Sequence, residues 1–360
     1  MDRFTVDNKE DICYDMDKER GANYASPTSE KRGGAMGALD AEAKQYLGKR
    51  KTFADAFNYL LYDGEQVIDP ENLKEMDTAQ LALPYGNNAR LPVQKYRDLL
   101  KIWEAMTDGN AIYVILGAEL QGKVHYAMPI KDGLYDMIGY SNQVEENRRS
   151  LKNKDKKESS DETAELYAED GILKIKLTSE EFLSGFRKED RLIPIITAVI
   201  YVGPEPWDGP KSLLEMMDIR DNRIIPFLND YKLNIISVAE IADGDFDKFN
   251  TVLGKVLKIV KHQKEDADKL IEELGHTKID PDAAFFLKKA ANLDIEIEVK
   301  DGGVDMCESL ERRYKKERIE EAIEIYREYG DSDDDIVSKI IKKFNVTKEY
   351  VMALLSPKLV

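Results

Sequence analysis

Apolar residues recur along the first two thirds of the chain at spacings that alternate between those of helices and those of strands. The stretch 39–62 has its apolar positions at helical spacing and stops at Asp63-Gly64, where glycine favours a helix end. Runs at 93–103 and 111–118 predict two strands, and the second is apolar on both faces, as in a central strand. Further buried strands are predicted at 192–202 and 232–238.

A helix is predicted at 129–146, because Pro129 suits a first helical position and apolar residues follow at helical spacing. One stripe of this helix carries Ile130, Leu134, Met137, Ser141 and Val144. A different stripe carries Asp136, Tyr140 and Gln143. This second stripe is interpreted either as a face that positions substrate phosphate or orients Gln121, or as an ordinary solvent face.

These elements predict an α/β domain at 36–240, a charged helical region at 241–330 and a short tail at 331–360. Residues 1–35 are polar and charged, which predicts a disordered leader. The charged stretch at about 147–170 predicts a solvated insertion. The tail is predicted to form helix, short turn and helix, a pattern found in DNA-reading units and also in ordinary helical pairs.

The first two strands form a predicted hairpin, because Asp108-Gly109 suits the positive φ angles of a two-residue turn. The turn fixes the register and places Asp98 directly across from Glu119, and Tyr96 across from Gln121. Since alternate residues of a strand share a face, Glu119 and Gln121 point to the same side of the sheet. The sequence therefore predicts two facing carboxylates at the end of a buried strand.

Facing carboxylates repel each other unless a cation lies between them or one of them is protonated. A hard cation such as Mg²⁺ at Asp98 and Glu119 would activate water and neutralise charge on a phosphate. The alternative is that both residues are ordinary strand-end acids in water. The metal interpretation is favoured because Glu119 ends an apolar strand, where no solvated residue is otherwise expected.

The composition indicates which residues could bind a metal and in which cellular compartment the protein works. With two cysteines and three histidines, the chain favours carboxylate ligands over a Cys/His zinc site. The few cysteines and the lack of a long apolar run predict a soluble, cytoplasmic protein with no membrane partner.

The net charge of the chain and its distribution along the sequence affect whether the protein can bind DNA. The net charge of −17 opposes phosphate binding, which needs Lys and Arg. The window 81–150, however, holds eight basic and eight acidic residues and is therefore neutral. Weak, metal-dependent DNA binding is expected.

The motifs around Asp98 and Glu119 resemble the D…(D/E)xK pattern of the PD-(D/E)xK nucleases. The whole stretch is similar to the recombination-promoting nuclease, or YhgA-like putative transposase, family, over roughly 36–240. The segments that carry this resemblance are FADAFN at 53–58, YDG at 62–64, YRD at 96–98, LGAELQ at 116–121, HYAMP at 125–129, YVG at 201–203 and PWDGP at 206–210, with a looser match in VDMC at 304–307.

The resemblance implies a restriction-endonuclease-like α-β-β-β-α-β core and Mg²⁺-dependent cleavage of DNA, with Mn²⁺ as a substitute, in recombination or mobile elements. It implies that Asp98 and Glu119 are catalytic metal ligands and that Asp55, on the first helix, is a further ligand. The alternative is that Asp55 is an exposed helix acid. Gln121 stands where most of these nucleases have a water-positioning lysine. Glutamine can hydrogen-bond a water but carries no charge.

Two other functions stay open. Gln121 favours a catalytically silent DNA-binding or recombination accessory protein with the same fold, whereas Asp98 and Glu119 favour a nuclease. The third alternative is an interaction protein that forms homo-oligomers through its charged helices at 246–328.

Overall fold

The computed structural model describes residues 34–82, 93–107, 110–158, 178–264 and 267–355, and it shows a mixed α/β protein with a five-stranded sheet. The first helices and strands are α1 (Gly34–Leu47), α2 (Arg50–Tyr62), β1 (Leu73–Glu75), β2 (Ala79–Ala82), β3 (Val93–Tyr96), β4 (Leu99–Thr107), β5 (Asn110–Gln121), α3 (Met128–Glu158), α4 (Ser179–Ser184), β6 (Ile195–Tyr201) and β7 (Asn234–Ser237). The remaining ones are α5 (Leu253–Lys261), α6 (Ala267–Leu274), β8 (Lys278–Ile279), α7 (Pro281–Ala290), β9 (Val304–Asp305), α8 (Met306–Glu328), α9 (Asp333–Phe344) and α10 (Lys348–Leu355).

The five-stranded sheet has the order β1-β4-β5-β6-β7, with antiparallel pairing from β1 to β5 and parallel pairing from β5 to β7. Strand β5 is central and covered on both faces, as its apolar sequence predicts. Leu116 and Leu120 join the main hydrophobic core with Phe53 of α2. Ile115 and Glu119 point the other way, toward α3. The predicted α/β class is confirmed.

The predicted hairpin register is confirmed along β4 and β5. Leu99 pairs with Ala118, and Thr107 pairs with Asn110, so two residues separate the paired ends. The turn residues themselves lie outside the described residues. Asp98 directly precedes β4, and the same register brings it to the level of Glu119.

The register does not continue to Tyr96, so the predicted pairing of Tyr96 with Gln121 is wrong. Tyr96 pairs with Ala79 in a separate two-stranded ribbon of β2 and β3. The single predicted strand breaks at Arg97 and Asp98. The buried Arg97 side chain bonds to Thr197 and Asp136, and Asp98 accepts a backbone hydrogen bond from Leu120.

The predicted helix at 39–62 is divided at Gly48 into α1 and α2. A Cβ at Gly48 would lie 2.5 Å from the Lys44 carbonyl oxygen, so this close approach requires glycine. The helix end predicted at Asp63-Gly64 is found there, with φ angles of 53° and 92°.

Helix α3 is longer than predicted, and its apolar stripe does not face the sheet. It continues to Glu158, which makes the first part of the predicted insertion helical, and 159–170 lie outside the described residues. Ile130, Leu134 and Met137 are exposed, while Asp132 and Asp136 are buried. The apolar stripe therefore faces outward, because polar side chains of α3 find partners on the sheet.

The predicted leader at 1–35 falls almost entirely outside the described residues, since α1 begins at Gly34. At the other end, α5, α6, α7 and the start of α8 share the main hydrophobic core with the sheet. The last part of α8 forms a smaller core with α9 and α10. The tail thus has the two helices and short turn that its sequence predicts. No helix within the described ranges combines the length and apolar character needed to cross a bilayer.

Candidate active site

Asp98 lies at the open end of the β4–β5 hairpin, with a side chain 19% exposed. Its Oδ2 accepts a hydrogen bond from the Leu120 backbone N–H at 2.9 Å. Its Oδ1 lies 2.7 Å from Lys44 Nζ, and the Lys44 side chain is 43% exposed. Because a surface ion pair of this kind contributes at most about 1 kcal/mol, Lys44 can release Asp98 at little cost.

Glu119 is buried, with 1% of its surface exposed. Its Oε2 accepts a hydrogen bond from Lys131 Nζ at 2.7 Å, and its Oε1 is buried without a hydrogen-bond partner. Burial raises the pKa of Glu119, Lys131 opposes that rise, and the charge of Asp98 adds to it. The opposed carboxylates predicted from the hairpin therefore influence each other electrostatically.

Lys131, in the first turns of α3, provides a positive charge that the sequence analysis did not assign. Its side chain is 30% exposed, and Nζ lies 5.8 Å from the centre of the Tyr135 ring. Gln121 is half-buried at the end of β5, two residues after Glu119, where strand alternation places both on one face. Lys131 thus places a positive charge beside Glu119.

Asp132 is a second residue that sequence reasoning missed. It is 1% exposed, and its Oδ1 is buried without a hydrogen-bond partner. Burial, followed by the charge of Glu119, raises the pKa of Asp132 to about 8. Asp132 lies one helical turn before Asp136 and on the same face of the helix, and this spacing can be recognised in the sequence. It was missed because the apolar stripe of α3 appeared to be the buried one.

Asp136 is the centre of a buried hydrogen-bond network. Its Oδ1 accepts from Arg97 Nη2 at 2.5 Å and from Thr197 Oγ1 at 2.7 Å, and its Oδ2 accepts from the Tyr231 hydroxyl at 2.7 Å. Burial and the charge of Asp136 raise the pKa of the Tyr231 hydroxyl. A Cβ on Gly117 would collide with Arg97, so glycine makes room for this network.

The other two residues of the predicted substrate-positioning stripe also bond to the protein. The Tyr140 hydroxyl accepts from the Ile195 backbone N–H at 3.1 Å. The Gln143 side-chain amide accepts from the Ile193 N–H at 2.7 Å and donates to the Ile193 carbonyl at 3.0 Å. Asp136, Tyr140 and Gln143 therefore fasten α3 to β6 and the segment before it. The interpretation of this stripe as a solvent face does not fit these contacts.

Asp55, predicted as a further metal ligand, points to the loop before α5. Its Oδ1 accepts from the Asn250 N–H at 2.8 Å, and its Oδ2 accepts from the Thr251 N–H at 2.9 Å and from the Thr251 hydroxyl at 2.5 Å. Asp55 is 1% exposed. Both oxygens are used by these contacts, which favour a structural role.

We expect Asp55→Ala to lower the free energy of unfolding by about 3 kcal/mol, because two backbone N–H groups lose a charged acceptor. Urea unfolding in EDTA measures this effect. The matched control is Glu65→Ala, at an exposed acid just after α2, with an expected change within about 0.5 kcal/mol. A metal ligand would behave differently, since its removal leaves the metal-free protein equally or more stable.

The residues around Glu119 offer two carboxylate oxygens to a hard cation, but not a complete set of ligands. Glu119 Oε1 and Asp132 Oδ1 are buried carboxylate oxygens without partners. Mg²⁺ is often held by one or two carboxylates together with waters and substrate phosphates. Within the part of the chain that the structure describes, no three His, Cys, Asp or Glu side chains are grouped closely enough to enclose a metal ion.

Comparison with known proteins identifies no relative. The chain matches no protein-family model, no curated protein and no solved structure.

Proposed function

We propose that this protein is a metal-dependent DNA endonuclease of the PD-(D/E)xK type, related to the recombination-promoting nucleases. The observation that carries the proposal is Glu119. It is a buried carboxylate at the end of the central strand, level with Asp98, with one oxygen on Lys131 and the other without a partner. Burying a carboxylate with one oxygen unpaired costs stability, which favours a functional role for Glu119.

The order of elements supports this proposal. Helix α2 precedes the antiparallel strands β1, β4 and β5, and helix α3 then leads to the parallel strand β6. This order is compatible with the α-β-β-β-α-β core that the resemblance implies, with the β2–β3 ribbon and α4 as additions. Fold alone does not establish function, so the proposal rests on the site.

In this proposal Asp98 and Glu119 hold Mg²⁺ or Mn²⁺, which supplies an activated water and charge neutralisation at the phosphate. The Leu120 N–H fixes the orientation of Asp98. Lys131 stays on Glu119 Oε2 and stabilises negative charge that develops on the phosphate. Lys44 and Lys131 are both partly exposed and offer positive charge to a DNA backbone.

We expect Lys131→Met to lower plasmid nicking about 100-fold, because the only lysine bonded to Glu119 among the described residues is lost. Gln121→Lys should keep or raise the activity of the wild type. In the Lys131→Met background it should restore activity, since it returns a lysine to the same face of β5. Rates are measured well below the melting temperature, with circular dichroism to verify folding.

The control for Lys131→Met and Gln121→Lys is Lys123→Met, at an exposed lysine just after β5. This variant should nick DNA like the wild type. If Lys131→Met is fully active, the proposed role of Lys131 is wrong.

A catalytically silent DNA-binding accessory protein is the second candidate. Gln121 favours it, as does the lack of three grouped metal-ligand side chains among the described residues. Metal-independent DNA binding without cleavage would support this candidate.

A further inference from the structure

The charges at the end of β5 are not fully paired. Four carboxylates, on Asp98, Glu119, Asp132 and Asp136, lie close to three basic side chains, on Lys44, Lys131 and Arg97. Lys44 binds Asp98, Lys131 binds Glu119, and Arg97 binds Asp136. Asp132 is the remaining carboxylate, and it forms no ion pair with any residue that the structure describes.

Two oxygens of this cluster are buried and have no partner, Oε1 of Glu119 and Oδ1 of Asp132. Both residues are 1% exposed, so bulk water does not solvate them. They come from different elements, β5 and the first turns of α3, which meet where Lys131, the neighbour of Asp132, bonds to Glu119 at 2.7 Å. Two buried carboxylates whose charges repel each other need either a shared proton or a cation between them.

The ligand atoms favour a hard divalent cation. The partnerless atoms are carboxylate oxygens, which suit Mg²⁺ and Mn²⁺ better than softer metals. Lys131 already occupies Oε2 of Glu119, and it leaves Oε1 available. One divalent cation would displace a proton from Asp132, balance its charge and leave one positive charge for a phosphate.

We propose that Asp132 is a metal ligand: its Oδ1 and Glu119 Oε1 together bind the divalent cation that Asp98 reaches once Lys44 releases it. The site links the end of β5 to the start of α3, so bound metal should stabilise the fold. The proposal deepens the nuclease assignment and rests on it for the role of the metal, but metal binding is measured without DNA.

The test is titration of the full chain with Mn²⁺, by calorimetry and by electron paramagnetic resonance of the free ion. We expect Asp132→Asn to weaken Mn²⁺ binding at least about tenfold, since even outer-shell changes at metal sites have effects of that size. Mn²⁺ should raise the melting temperature of the wild type and not that of the variant. Glu146→Gln, at an exposed acid on the same helix, is the matched control and should bind Mn²⁺ like the wild type.

The proposal is overturned if the folded wild type does not bind Mn²⁺ at millimolar concentration, or if Asp132→Asn binds it as tightly as the wild type. If Asp132→Asn does not fold, Asp132→Ser serves as the second variant. Plasmid nicking separates this proposal from the nuclease assignment. Mn²⁺ binding that depends on Asp132, without nicking, would reject the nuclease assignment and support the metal site. Mg²⁺-dependent nicking that is unchanged in Asp132→Asn would reject Asp132 as a metal ligand and support the nuclease assignment.

Discussion

Glu119→Gln and Asp98→Asn should each abolish Mg²⁺-dependent nicking of supercoiled DNA, with a loss of at least about 10³-fold. Each change keeps the shape of the side chain and removes the charge that a hard cation requires. The metal-free variants should be as stable as the wild type or more stable, because burial and the charge of Asp98 already raise the pKa of Glu119. Activity is measured on purified plasmid, and stability is measured by urea unfolding in EDTA.

The matched control for these variants is Glu104→Gln, at a partly exposed acid of β4 that pairs with Lys74 at the surface. It removes the same charge from the same hairpin and should nick DNA normally. Equal nicking by the wild type and both site variants would show that the carboxylates are not catalytic. Loss of activity together with a large loss of stability would show that they are structural.

Arg97→Met and Asp136→Leu should each lower the free energy of unfolding by about 3–5 kcal/mol. Each leaves the other partner as an uncompensated buried charge. Arg97 has a side chain that is 0% exposed, and Asp136 one that is 7% exposed. The double variant should lose less than the sum of the single losses, because it removes both charges. Urea unfolding of the four proteins measures this coupling.

Arg149→Met, at a surface arginine of α3 that is 64% exposed, is the control and should change stability by at most about 1 kcal/mol. Plasmid nicking by Asp136→Leu, measured beside its unfolding, examines the predicted substrate-positioning role of Asp136. If Asp136→Leu lost activity while keeping full stability, Asp136 would act on the substrate, and the structural role inferred from its four-residue network would be wrong.

The hairpin could be predicted from sequence because its geometry depends on neighbouring residues. The two-residue turn predicted for Asp108-Gly109 fixes the register, and the alternation of strand residues fixes the face. These two local rules bring Asp98 to the level of Glu119. The apolar residues on both faces of β5 identify it as a central strand.

The rest of the site depends on residues remote in sequence. Asp136 is buried because Arg97, Thr197 and Tyr231 converge on it from three other segments. Hydrophobic periodicity does not report such partners, so it could not decide whether the polar stripe of α3 faces the substrate or solvent. For the same reason it gave no sign of Lys131 and Asp132, whose side chains come near Glu119 only in the folded chain.

Plasmid nicking by the wild type tests the nuclease assignment most directly. Purified protein is incubated with supercoiled DNA in Mg²⁺, in Mn²⁺ and in EDTA, with Glu119→Gln beside it in each condition. We predict conversion to nicked circles by the wild type in Mg²⁺ and Mn²⁺, no conversion in EDTA, and none by the variant. Intact plasmid in every condition, from folded protein, would contradict the nuclease assignment and leave a catalytically silent protein.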